Sequence, residues 1–392
     1  MVTWSTMTPT DQSIVEYGIN TLNIAVNGSS TTFVDGGEAK HTQYIHNVKL
    51  TGLNPGQNYK YHCGSSDGWS SIYSFTAMPS GSNWSPRFAV FGDMGNVNAQ
   101  SVGALQQETQ KGHFDAILHV GDFAYDFDSN DGETGDEFMR QIEPIAAYIP
   151  YMACVGNHEN AYNFSHYKNR FHMPNFENNK NQWFSWNIGP AHIISISTEI
   201  YFYINYGVQQ LKNQWEWLQQ DLEEATKPEN RAKRPWIITM GHRPMYCSNN
   251  DHDDCTRFLS IVRTGYLGMY GLEHLFYKYG VDLELWAHEH SYERLWPVYD
   301  LKVYNGSVDA PYTNPKAPVH IITGSAGCKE DHDGFQPPYR PWSAFRRQDY
   351  GYTRMQILNN THLYMEQVSD DKKGEVIDNL WLIKEKHGPY NG

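Results

Sequence analysis

Apolar and polar positions change their period once along the chain. Over residues 1–78, short alternating runs such as Val15–Gly18 and Thr21–Val26 are broken by Gly, Asn and Asp turns. Rich in Thr, Ser, Tyr and Val, they predict a small antiparallel β domain. Residues 79–86, PSGSNWSP, read as a linker. Beyond it, nearly continuous apolar runs alternate with helical stretches. Strands are predicted at Arg87–Phe91, Ala116–Val120, Pro150–Val155, Ala191–Ser197, Trp236–Met240 and Val281–Trp286, with helices near Ala99–Gln110, Asp136–Ala147 and Val208–Thr226. This alternation predicts a layered α/β domain over 87–392.

Five of those runs end the same way. Each apolar segment passes directly into a glycine or alanine and then a metal-ligand residue type: Gly92-Asp93, Gly121-Asp122 with Tyr125, Gly156-Asn157-His158, Gly241-His242, and Ala287-His288-Glu289-His290. The carboxyl ends of strands in open α/β sheets are where ligands bind. Any one of these could be a turn, but independent turns would not all choose ligand types. Two carboxylates, a phenol, an amide and three imidazoles form an O/N-rich set without thiolate, suited to Fe, Zn or Mn. Seven ligands exceed one ion and fit two ions sharing a carboxylate, for which Asp122 is the natural bridge. A phenol has an ordinary pKa near 10, so binding Tyr125 as phenolate at neutral or acidic pH calls for a strongly Lewis-acidic ion such as Fe(III).

The 392 residues carry a formal charge of −14, with 40% hydrophobic and 14% aromatic side chains. No basic stripe exists to displace counterions from nucleic acid, and no apolar run reaches the roughly 18 residues of a membrane span. The start, MVTWSTMTP, lacks the basic and apolar regions of a signal peptide and reads as a truncated N-terminus. Sequons at Asn27, Asn83, Asn163, Asn305 and Asn359 suggest a glycoprotein, secreted or lysosomal. Among five cysteines, Cys247 and Cys255 bracket a short polar loop that a bridge could close.

Two resemblances follow from these residues. The segment Leu50–Tyr61, LTGLNPGQNYKY, resembles the tyrosine-corner region of a fibronectin type III sandwich. The blocks GDMG, GDFAY, GNHE, MGHRPMY and AHEHSYER resemble, piece by piece, the purple acid phosphatases among the calcineurin-like metallophosphoesterases. The resemblance implies an N-terminal all-β, fibronectin III-like domain followed by a β-sandwich flanked by helices. It further implies Asp93, Tyr125 and His290 on a ferric ion, Asp122 bridging, and Asn157, His242 and His288 on a divalent ion, Zn, Fe(II) or Mn. Ala287 stands where the family has glycine, a small-for-small change not expected to move a ligand. The implied reaction is hydrolysis of small phosphomonoesters or phosphoproteins, with a metal-bound hydroxide as nucleophile. His158 is the implied proton donor, aided by Glu159 and by His252, which lies where related enzymes place a second substrate-side histidine. Competing readings are a related phosphodiesterase or nucleotidase, a non-catalytic binding module, and a redox role. Asp126-x-Asp128-x-Asn130 reads as an acidic loop at the mouth of the site, and Tyr201–Tyr206 (YFYINY) as either core or substrate wall.

Overall fold

The computed structural model describes residues 1–250, 255–256, 260–335 and 337–390. At the N-terminus, a three-stranded sheet (Val2–Thr6, Ser29–Val34, Thr42–Val48) faces a five-stranded one that includes Ile14–Gly18, Ile24–Asn27 and Asn58–Ser65. The predicted strand over 21–26 starts later because residues 21–23 turn, with Asn23 N–H donating to Thr21 O. Tyr59 makes the corner that the sequence suggested: its hydroxyl accepts the Asn54 N–H at 2.9 Å.

After residues 79–86, which carry no helix or strand, two large sheets follow. The six-stranded sheet runs Tyr151–Cys154, Ala116–Val120, Arg87–Phe91, Gly351–Ile357, His362–Ser369, Glu375–Ile383. Its first three strands are parallel. The seven-stranded sheet runs Phe184–Ile188, Ala191–Ser195, Trp236–Met240, Leu283–Trp286, Val319–Thr323, Tyr292–Leu295, Ser343–Arg347. Successive strand residues point to opposite faces, and the core divides accordingly. Ile193 and Ile238 join Phe88, Val90 and Leu118 between the sheets, whereas Ile194 and Ile237 pack outward against Leu211, Leu218 and Leu222. The near-continuous apolar runs of the sequence are therefore strands buried on both faces.

Helices cover the outsides. Val102–Gln110 and Glu133–Ala146 set Leu105, Phe138, Ile142 and Ile145 against the six-stranded sheet, and Gln209–Ala225 covers the other. The first of these begins three residues later than predicted, since Ala99 and Ser101 lie in the turn that precedes it. Cys247 and Cys255 form a disulfide, and Cys63, Cys154 and Cys328 are free and buried.

A buried ionic cluster closes the C-terminal end. Asp282, fully buried, contacts Lys384 Nζ at 2.5 Å, Arg231 Nη2 at 3.1 Å and His387 Nδ1 at 3.1 Å. It also accepts the Ile237 N–H at 2.9 Å. The last segment of the chain is thereby tied to the middle of the seven-stranded sheet.

Candidate metal centre

The parallel strands deliver their carboxyl ends to one edge, and glycines let them converge. A Cβ added to Gly121 would lie 2.5 Å from His242 Nδ1, and one on Gly156 would lie 2.2 Å from Asp122 Oδ1. No side chain fits at either position, which explains the glycines before Asp122 and Asn157. Gly92 and Ala287 are complementary: a Cβ on Gly92 would meet the Ala287 methyl at 2.4 Å. Asp93, Asp122, Tyr125 and His288 all have positive φ, between 51° and 70°. Such conformations cost about 1–3 kcal/mol each and persist where the surroundings enforce them, commonly at active sites.

The side chains form two adjoining groups. In the first, Tyr125 donates its hydroxyl to Asp93 Oδ1 at 3.1 Å and lies 2.7 Å from His290 Nε2, itself 3.6 Å from Asp93 Oδ1. The second gathers His242 Nε2 at 3.1 Å from Asp122 Oδ2, 3.0 Å from Asn157 Oδ1 and 3.2 Å from His288 Nδ1. Ligand atoms of Asp122, His242 and His288 lie within 4.8 Å of one another. Backbone contacts hold both groups: His288 N–H donates to Asp93 Oδ2 at 3.0 Å, and His158 N–H to Asp122 Oδ1 at 2.9 Å. The ring of His242 is oriented by Nδ1 against Val120 O (2.9 Å), and that of His290 by Nδ1 against Asp331 O (2.9 Å). In each case Nε2 is left facing the cluster, the arrangement by which a backbone carbonyl fixes a ligating imidazole.

The electrostatics ask for cations. Burial pushes the Asp93 carboxyl up to about 7 against the pull of His242 and His290. Burial also raises Asp122, but His242 and His158 outweigh it and hold this carboxyl well below its ordinary range. For His242, the Asp122 and Asp93 charges overcome burial and lift the imidazole to about 10. Burial, with Asp93 and Asp122, drives the Tyr125 phenol well above its ordinary value. Protons thus serve the buried carboxylates where cations could, and only a highly charged ion would convert this phenol to phenolate. The residues present fit a pair of cations with O/N coordination.

The seven predicted ligand residues lie together in this cluster. His158 stands beside it: Nδ1 is 2.8 Å from Asp126 Oδ1, while Nε2 lies 3.9 Å from Asp122 Oδ2 and 3.6 Å from Glu330 Oε1. Glu159 instead accepts the N–H groups of Asp122, Phe123 and Gly156 at 2.9–3.0 Å, so it braces the strand ends from beneath. His252 lies outside the described residues. The YFYINY run divides. Tyr201 is core, whereas Tyr203 is half-buried beside the cluster, its hydroxyl 3.5 Å from Asn157 O. Sequence reading missed Asp331 and Asp333, which hold the His290 ring and N–H, and the Glu199–Arg243 pair beside His288. VHIITGSAG, at 319–327, repeats the apolar-run-then-glycine pattern and could have flagged the first two.

Known proteins resemble this chain over nearly its whole length. Residues 86–292 match the calcineurin-like phosphoesterase family, 317–379 the iron/zinc purple acid phosphatase-like protein C family, and 1–77 the purple acid phosphatase N-terminal domain. Acid phosphatase type 7 of Danio rerio is 61% identical over 397 residues, covering 99% of this chain and 89% of its own length. The Homo sapiens counterpart is 56% identical over 391 residues, covering 99% and 88%. A purple acid phosphatase solved from yellow lupin seeds superposes with a TM-score of 0.79 over 97% of this chain and 71% of its own, at 24% identity.

Proposed function

Because the chain belongs to the purple acid phosphatase family and is a phosphatase with a dinuclear-metal architecture, we propose that it hydrolyses phosphate monoesters with one Fe(III) and one divalent ion, Zn, Fe(II) or Mn. The observation that carries this is Tyr125, whose phenol closes a buried group with Asp93 and His290 next to the Asp122–His242–His288 cluster. Asp93, Tyr125 and His290 would hold the ferric ion, Asn157, His242 and His288 the divalent one, and Asp122 both. When bound, the pair would lower the pKa of water, clamp phosphate oxygens and neutralise charge in an in-line displacement.

The protein's own part is positioning and proton supply. Asp126 anchors His158 at Nδ1, which turns Nε2 toward the cluster and a leaving oxygen. Burial lowers this imidazole, but Asp122, Asp126 and Glu159 together lift it to about 9. Cations on Asp122 would pull it back toward neutrality, still protonated at acid pH. General acid catalysis contributes roughly 10²- to 10⁴-fold. His158→Ala should therefore cut turnover of alkyl phosphates by roughly 10²-fold or more and spare aryl esters with good leaving groups. Equal losses on both would remove the acid role.

Colour and metal content test the centre itself. The purified protein should hold about two ions per chain and absorb in the visible through tyrosinate-to-iron charge transfer, and Tyr125→Phe should bleach it. A colourless protein that takes up no iron on reconstitution would refute the ferric reading. We further propose a secreted or lysosomal glycoprotein. The Cys247–Cys255 disulfide and the exposed sequon residues Asn27, Asn83 and Asn359 support this.

A further inference from the structure

Arg243 places a permanent positive charge on the far side of His288 from the position proposed for the divalent ion. It follows His242 directly, and its Nη1 lies 3.0 Å from His288 Nε2. Its Nε lies 3.0 Å from Glu199 Oε2, and its guanidinium rests 4.3 Å above the Phe202 ring. Glu199 is fully buried and braced by Thr198 Oγ1, which donates to Oε1 at 3.0 Å and accepts the Arg243 N–H at 2.9 Å. The guanidinium is thus fixed against His288 by a salt bridge, an aromatic face and its own backbone.

The two nitrogens of His288 face different claims. Nδ1 points to His242 Nε2, at 3.2 Å, on the side of Asp122. Arginine only donates, so the contact at Nε2 uses a lone pair of the ring. A neutral imidazole has one lone-pair nitrogen to offer. An ion bound through Nδ1 needs that lone pair on the opposite nitrogen and leaves a proton on Nε2 facing a cationic donor. Repulsion between the guanidinium and a divalent ion acts in the same direction.

On the ligand assignment proposed above, we infer that Arg243 is a positioning residue that weakens the divalent half-site, and that Glu199 limits the penalty by pairing with it. In the half-site of Asp93, Tyr125 and His290, the imidazole of His290 meets Tyr125, Asp93, Asp331 and Cys328 and no arginine or lysine among the described residues.

The test is calorimetric titration of Zn²⁺ into protein already carrying one equivalent of iron, which reads affinity and not turnover. Arg243→Gln should tighten Zn²⁺ binding about 10-fold or more, and Glu199→Gln should weaken it by a similar factor. Arg243→Lys keeps the charge and should stay near the wild-type affinity, which separates charge from packing. Unchanged or weaker binding by Arg243→Gln, in a protein whose wild type takes up two ions, overturns this inference alone. A wild type that takes up no second ion overturns the ligand assignment and the inference with it.

Discussion

Asp122→Asn is expected to lower kcat/KM on a phosphate monoester by roughly 10⁴-fold or more and to leave no more than about one ion per chain. The substitution keeps the shape and removes the charge. In the wild type, this carboxylate lies 3.1 Å from His242 Nε2 and also receives the His158 N–H, so its two oxygens are held by the strand ends around it. Two cations about 3.5–4 Å apart repel strongly unless an anion lies between them, and an amide cannot fill that role. Elemental analysis of the purified variant, beside its kinetics, checks the prediction. A variant retaining two ions and a tenth of the activity would show that the bridge is elsewhere.

The second large effect concerns stability. Asp282→Asn should destabilise the fold by about 3–5 kcal/mol, the usual cost of leaving buried charges without their partner. Lys384 and Arg231 would both lose their shared carboxylate. Burial alone would raise Asp282, but Lys384, Arg231 and His387 outweigh it and hold the carboxyl far below its ordinary range. A depressed carboxyl contributes its stability above the unfolded value, about 3.9, and loses it as pH falls through the folded value. The gap between wild type and variant should therefore not shrink from pH 7 to pH 5 and should close only below about 4. Urea denaturation at a series of pH values reads this directly, and a gap that shrank between pH 7 and 5 would assign the stabilisation to other groups. Since Asp282 precedes the strand Leu283–Trp286 and His288 follows its other end, activity per folded molecule should be unchanged.

Much of the site was legible because the signal is local. An apolar run, a small residue and a ligand type are consecutive letters, and the physics linking them, a buried strand ending at a close approach, needs no distant partner. Gly121 and Gly156 show why: each is glycine because a neighbouring side chain, His242 or Asp122, occupies its Cβ position. What could not be read depends on contacts across the chain. Glu159 looked like an aid to proton transfer, yet its carboxylate is consumed by three backbone N–H groups, two of them 36 and 37 residues away. Nothing local in the sequence marks Arg243, whose direction is fixed by Glu199, 44 residues earlier. Helix starts shifted by a few residues for a simpler reason, since turn residues such as Ala99 and Ser101 tolerate helix and loop alike.

The division of the proposed ligands between the two sheets has a mechanical consequence. Asp93, Asp122, Tyr125 and Asn157 follow strands of the six-stranded sheet, and His242, His288 and His290 follow strands of the seven-stranded one. On the proposed assignment, neither ion can complete its coordination from one sheet, so each acts as a rivet through the sandwich. Chelation would then loosen the seam first, with amides on the facing strand ends exchanging faster while those deep in either sheet keep their protection.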